Sequence, residues 1–119
     1  MNATEFADFA EGWIDAWNSH DLDRILGHYA ADVVIRTPRA AAWDPSTGGV
    51  VEGLAAVRRY WCAALRASPH LRFELDSTLT SAGGGTILYR NHRGELVAET
   101  VIFDVDGLVK NSIVSYKQI

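Results

Sequence analysis

The chain has 119 residues, 48% of them hydrophobic, with four Trp, four Tyr and four Phe, and a formal net charge of −4 from 11 Lys and Arg against 15 Asp and Glu. That length and apolar content support one folded domain over residues 1–119 and exclude an intrinsically disordered chain. The acidic balance, with the arginines scattered from Arg24 to Arg93, argues against a nucleic-acid partner, and the single Cys62 excludes an internal disulfide framework.

The N-terminal "MNATEFADFAEGW" has no basic segment followed by an apolar one, and no run of about 18 apolar residues follows anywhere, so a cytoplasmic protein without a membrane partner is expected. From Thr4 to Asn18, Phe6, Phe9, Trp13, Ile14 and Trp17 recur at three- and four-residue steps, which predicts an amphipathic helix. Asn2 and Glu5 have capping-box spacing at its start. "NSHD" breaks the helix, and Asp21 is the expected N-cap of a shorter second helix carrying Leu22, Ile25, Leu26 and Tyr29 on one side.

"DVVIRT", residues 32–37, is rich in β-branched side chains and ends at Pro38, as a short strand would. "PRAAAWDPSTGGVVEG" has neither helical nor strand period and is expected to be a long connection lying over something. Leu54, Val57, Trp61 and Leu65 mark a third helix that stops near Ala67. Four strands then follow, "LRFELDSTLT", "TILYRNH", "ELVAETVIFDV" and "LVKNSIVSYKQI", separated by "SAGGG", "RG" and "DG" turns. The fold class is therefore α+β, helices first and an antiparallel sheet after.

The third of these strands carries an anomaly. In period two, Val97, Glu99, Val101, Phe103 and Val105 share a face, so a carboxyl sits among apolar neighbours unless the register slips by one residue. A carboxyl desolvated among aromatic rings has a raised pKa and can move protons near neutral pH. The competing reading is a rim position or an ion pair with Arg36 or Arg90. Tyr89 and His92 fall on opposite faces of their strand; Tyr89 is expected inward with Ile87, and His92 exposed beside the "RG" turn. No H-E-x-x-H or paired Cys/His spacing exists, so neither a metal site nor a cofactor is expected. "DVDG" lacks the further oxygen ligands of a calcium loop, and "SAGGGT" precedes a strand instead of the helix a phosphate cradle needs.

"FAEGWIDAWNSHDLDRILGHYAADVVIRTP", "VEGLAAVRRYWCAAL" and "ETVIFDVDGLVKNSIVSY" together resemble the SnoaL-like branch of the nuclear transport factor 2-like superfamily, which includes polyketide cyclases and ketosteroid isomerases. The resemblance covers essentially the whole chain. It implies a cystatin-like cone, three N-terminal helices packed in a curved, mainly antiparallel sheet around an interior pocket, and commonly a homodimer. It implies a small hydrophobic ligand, with Trp13, Trp17, Tyr29, Arg36, Trp61 or its neighbour Tyr60, Phe103 and Tyr116 as candidate binding residues, although aromatics at these spacings more often serve as core. The slots that hold the tyrosine donor, aspartate base and second acid of the isomerase branch are filled by Trp13, Thr37 and Val101, so that mechanism is not expected. An epoxide-hydrolase-like arrangement would have only Arg36 and Glu99.

Glu99 as acid or base, with Tyr89 or Tyr116 as hydrogen-bond partner, is thus the candidate catalytic group for isomerase, cyclase or hydrolase chemistry on a hydrophobic oxygenated substrate. A noncatalytic ligand-binding or dimerisation domain is the alternative. A third reading has the face carrying Leu88, Ile102 and Ile113 recruit a protein partner.

Overall fold

The computed structural model describes residues 1–117. Helix α1 spans Ala3–Ser19, opened by the expected capping box between Asn2 and Glu5 and closed by His20 in the left-handed region at φ 61°. Its buried stripe is Phe6, Ala10, Trp13, Ile14 and Trp17. Asp21 caps the five-residue α2, Leu22–Leu26, by accepting a hydrogen bond from the Arg24 amide.

Strand β1 runs from Tyr29 to Arg36 and so begins three residues before the expected strand. Helix α2 stops at Leu26, which leaves Tyr29 on the strand and not on the helix. The connection after β1 is structured as well: α3 (Pro38–Trp43), a 3₁₀ turn (Pro45–Thr47) and the short strand β2 (Val50–Glu52). Thr37 caps α3 through the Arg39 amide and Pro38 occupies the first helical turn, a start signal that the apolar periodicity of so short a helix could not reinforce. Helix α4, Leu54–Ala67, follows as expected.

Strands β3 (Glu74–Ser81), β4 (Gly84–Arg90), β5 (Leu96–Phe103) and β6 (Val109–Tyr116) complete one curved sheet in the order β2-β1-β6-β5-β4-β3. Only β1 and β6 pair in parallel. The last two residues of the expected final strand lie outside those described. Of the three glycines in "SAGGG", Gly83 makes the turn at φ 77°, while Gly84 and Gly85 belong to β4. A Cβ on Gly85 would come within 2.7 Å of the Phe6 ring, and one on Gly84 within 1.9 Å of the Val101 carbonyl oxygen. Glycine there lets α1 and β5 close onto β4.

The helices cover the concave face of the sheet and bury Ile35, Ile87, Val97 and Val101 from their strands. No helix among the described residues is long and apolar enough to cross a membrane.

Candidate functional site

Between α1, α4 and the concave face lies a cavity of about 460 Å³. The register of β5 decides its chemistry. Val97, Glu99 and Val101 alternate inward, and Glu99 pairs across to Ile87 on β4 and Val114 on β6, so its carboxyl is in the interior with 4% of the residue exposed. Glu99 Oε2 accepts a hydrogen bond from the Ser112 hydroxyl, and Oε1 accepts a longer one, 3.4 Å, from the Tyr89 hydroxyl. Burial pushes the Glu99 pKa up to about 7; the bonds from Ser112 and Tyr89 favour the ionised form and offset only part of that. Burial also raises Tyr89 well above its ordinary value, reinforced by the neighbouring Glu99, so this phenol stays protonated and donates.

Aromatic rings build the walls. Trp13 lies 5.3 Å from Tyr89 between ring centroids, Phe73 lies 4.5 Å from Tyr89, and Trp17 meets Trp61 edge-on at 5.0 Å. The Trp13 indole donates to the Tyr29 hydroxyl at 2.8 Å. Beyond Tyr60 and Trp61, the last turns of α4 present only Ala63, Ala64 and Ala67 to the cavity, which leaves the space open. Near Glu99 a second polar wall contains Thr37, Tyr60 and Tyr116. Burial raises both phenols, Tyr60 to about 12, so they too are neutral donors.

The "NSHD" junction positions one wall. The Asn18 amide donates to the Phe73 carbonyl at 2.9 Å and accepts from the Phe73 amide at 2.7 Å, and His20 Nε2 lies 2.8 Å from the Leu71 carbonyl oxygen. The connection between α4 and β3 is thereby tied to the end of α1, with Leu71 and Phe73 turned into the cavity.

Of the sequence candidates, Glu99, Tyr89, Trp13, Trp17, Trp61 and Tyr116 line the cavity. Three do not. Arg36 alternates with the inward Ile35 and Thr37 and is exposed on the outer face of β1, so it neither flanks nor neutralises Glu99; Arg90 is likewise exposed. Phe103 faces inward four residues further along β5, at the opposite end of the interior, where it packs on Phe6 and Phe9. Tyr29 stands behind the wall, holding Trp13 by its hydroxyl and meeting Trp61 edge-on at 4.9 Å.

Sequence reasoning misses Arg39 and Trp43; it offers Tyr60 only as the alternative to Trp61 and Thr37 only as the residue filling the isomerase base slot, and all four line the cavity. Tyr60 and Trp61 are both buried at the inner side of α4, so one helical turn could have suggested either. Trp43 belonged to the unassigned connection, which does lie over something: its half-exposed ring sits 5.2 Å from Tyr60 at the cavity mouth. His92 is exposed as expected, yet it too borders the mouth.

The sequence profile of the SnoaL-like domain matches residues 10–108. A search of curated proteins gives no match. The crystal structure of a SnoaL-like protein of unknown function from Burkholderia thailandensis superposes with a TM-score of 0.91 at 37% identity over 98% of both chains. A candidate polyketide cyclase from Sinorhizobium meliloti superposes at 0.76 with 16% identity over 97% of this chain and 100% of its own. A protein of unknown function with a cystatin-like fold from Methylobium petroleophilum gives 0.76 at 17% over 100% of this chain and 80% of its own. At such identities the last two speak for the fold alone.

Proposed function

We propose that this chain, which belongs to the SnoaL-like family of the nuclear transport factor 2-like superfamily, is an acid/base enzyme acting on a hydrophobic, oxygenated small molecule. The observation that carries the proposal is Glu99: a carboxyl aimed into an aromatic cavity, held by Ser112 and Tyr89, with a pKa of about 7. Near neutral pH both its forms are populated, the condition for taking a proton from one position of a substrate and returning it at another. The neutral phenols of Tyr89, Tyr60 and Tyr116 supply donors for the oxygen on which negative charge develops.

The test is a turnover screen of cyclic ketones and polyketide-like compounds with wild type and Glu99→Gln. Turnover that falls by about 10²–10⁴-fold in the variant, with an unchanged circular dichroism spectrum, is the expected result. Compounds that bind and are never converted by wild type would mark a noncatalytic binding domain instead.

A homodimer through the convex face of the sheet completes the proposal. One cross-strand row there reads Leu79, Thr86, Thr100, Ile113, Arg36, with Leu79 60% and Ile113 49% exposed. Two exposed aliphatic side chains set among threonines on a sheet face are suited to a self-complementary contact. Light scattering should give a dimer mass for wild type and a monomer for Ile113→Lys; a monomeric wild type contradicts this.

A further inference from the structure

The cavity lining carries a single carboxyl, Glu99, but its mouth is cationic, in a chain whose net charge is −4. Arg39 and Arg93 line the opening with Asn91 and His92. Arg39 is held in place: its guanidinium lies 4.5 Å from the Tyr116 ring centroid, and Nη2 donates to Glu95 Oε1, which also accepts from Asn91 Nδ2 at 2.9 Å. Ring and carboxylate occupy one face and one edge. The remaining Nε and Nη1 donors have no protein partner among the described residues, and the side chain is 32% exposed. Arg93 forms no ion pair among the described residues. The His92 imidazole is held below its ordinary pKa, first by desolvation and then by Arg93 and Arg39, with Glu95 acting the other way.

We propose that the ligand of this cavity is an amphipathic organic acid, with an apolar ring-sized body against Trp13, Trp17 and Trp61 and a carboxylate or similar oxyanion at the mouth on Arg39, with Arg93 beside it. The proposal rests on the cavity being the small-molecule site and narrows its substrate class from neutral ketones to acids. A planar guanidinium already oriented by Tyr116 and Glu95 loses little freedom when it takes an oxyanion. Glu95 offsets the guanidinium's charge while orienting it through Nη2, and glutamine in its place keeps an acceptor there without the charge, so Glu95→Gln should strengthen anion binding.

The experiment uses two dyes with nearly the same ring framework, anilinonaphthalene sulfonate and neutral phenylnaphthylamine, titrated by fluorescence. The sulfonate is expected to bind wild type about tenfold more tightly, and high salt should weaken it alone. Arg39→Gln should reduce the sulfonate to the level of the neutral dye and leave the neutral dye unchanged, while Glu95→Gln should tighten the sulfonate. Equal affinities of the two dyes for wild type, or a sulfonate affinity indifferent to Arg39→Gln, would overturn the acid and leave the apolar site standing. Binding of neither dye, or affinities for both dyes that are unaltered when Ala64→Leu narrows the cavity, would overturn both the acid and the small-molecule site beneath it.

Discussion

The two ends of the interior are made by the same helix and the same strand, yet one is filled and the other hollow. At the closed end α1 supplies Phe6 and Phe9 and β5 supplies Phe103, and these rings meet each other, Phe9 reaching Phe103 at 4.8 Å and His28 at 5.6 Å. At the open end α1 supplies the larger Trp13 and Trp17, β5 supplies Glu99 and α4 adds Tyr60 and Trp61, but the last turns of α4 face them with three alanines, Ala63, Ala64 and Ala67. The number of aromatic rings therefore does not decide whether they act as core or as cavity wall. The size of the residues facing them does.

Truncation should separate the ends most sharply. Phe6→Ala removes a fully buried ring that packs into the gap left by Gly85, and should lower stability by about 3–5 kcal/mol in urea unfolding. Ala64→Leu, at the hollow end, should change stability by no more than about 1 kcal/mol while weakening ligand binding by narrowing the cavity. A large loss of stability in the second variant would mean that the open end is packed after all.

The next effect concerns pH. The folded-state pKa of Glu99, about 7, lies above the ordinary carboxylate value, so the folded state retains a proton that the unfolded chain has released. Stability contributed by the protonated carboxyl is complete below the unfolded value and is lost as pH rises through the folded one. Wild type should lose about 3 kcal/mol from this source between about pH 4.5 and about pH 7.5, and Glu99→Gln should lack that slope. Unfolding free energies of the two proteins across this window provide the check.

The smallest expected effects come from the carboxyl's partners. Ser112→Ala deletes the stronger of the two bonds that favour ionisation, so it should raise the Glu99 pKa and cost about 1 kcal/mol. Tyr89→Phe should act in the same direction by less, because its bond is 3.4 Å long. Carboxyl NMR of both variants reads the order.

The same division shows what the sequence could carry. Period-two alternation was enough to put Val97, Glu99 and Val101 inward and Tyr89 beside them, and helical spacing was enough for the buried stripe of α1. Distance along the axis was not legible: Phe103 has the inward parity of Glu99 but lies about 13 Å further along an extended strand. Charge alone would pair Arg36 with Glu99, but its buried neighbours Ile35 and Thr37 fix it on the outer face. Arg39 and Trp43 lay in a helix too short to show a period, and their place at the mouth follows from tertiary packing against Tyr116 and Tyr60.

The most direct measurement is a carbon-13 carboxyl NMR titration of wild type, with Glu99→Gln for assignment. A Glu99 midpoint close to 7 is what a desolvated, cavity-facing carboxyl requires. A midpoint at or below the model-peptide value of about 4.3 would mean a solvated or ion-paired residue and would contradict the acid/base role.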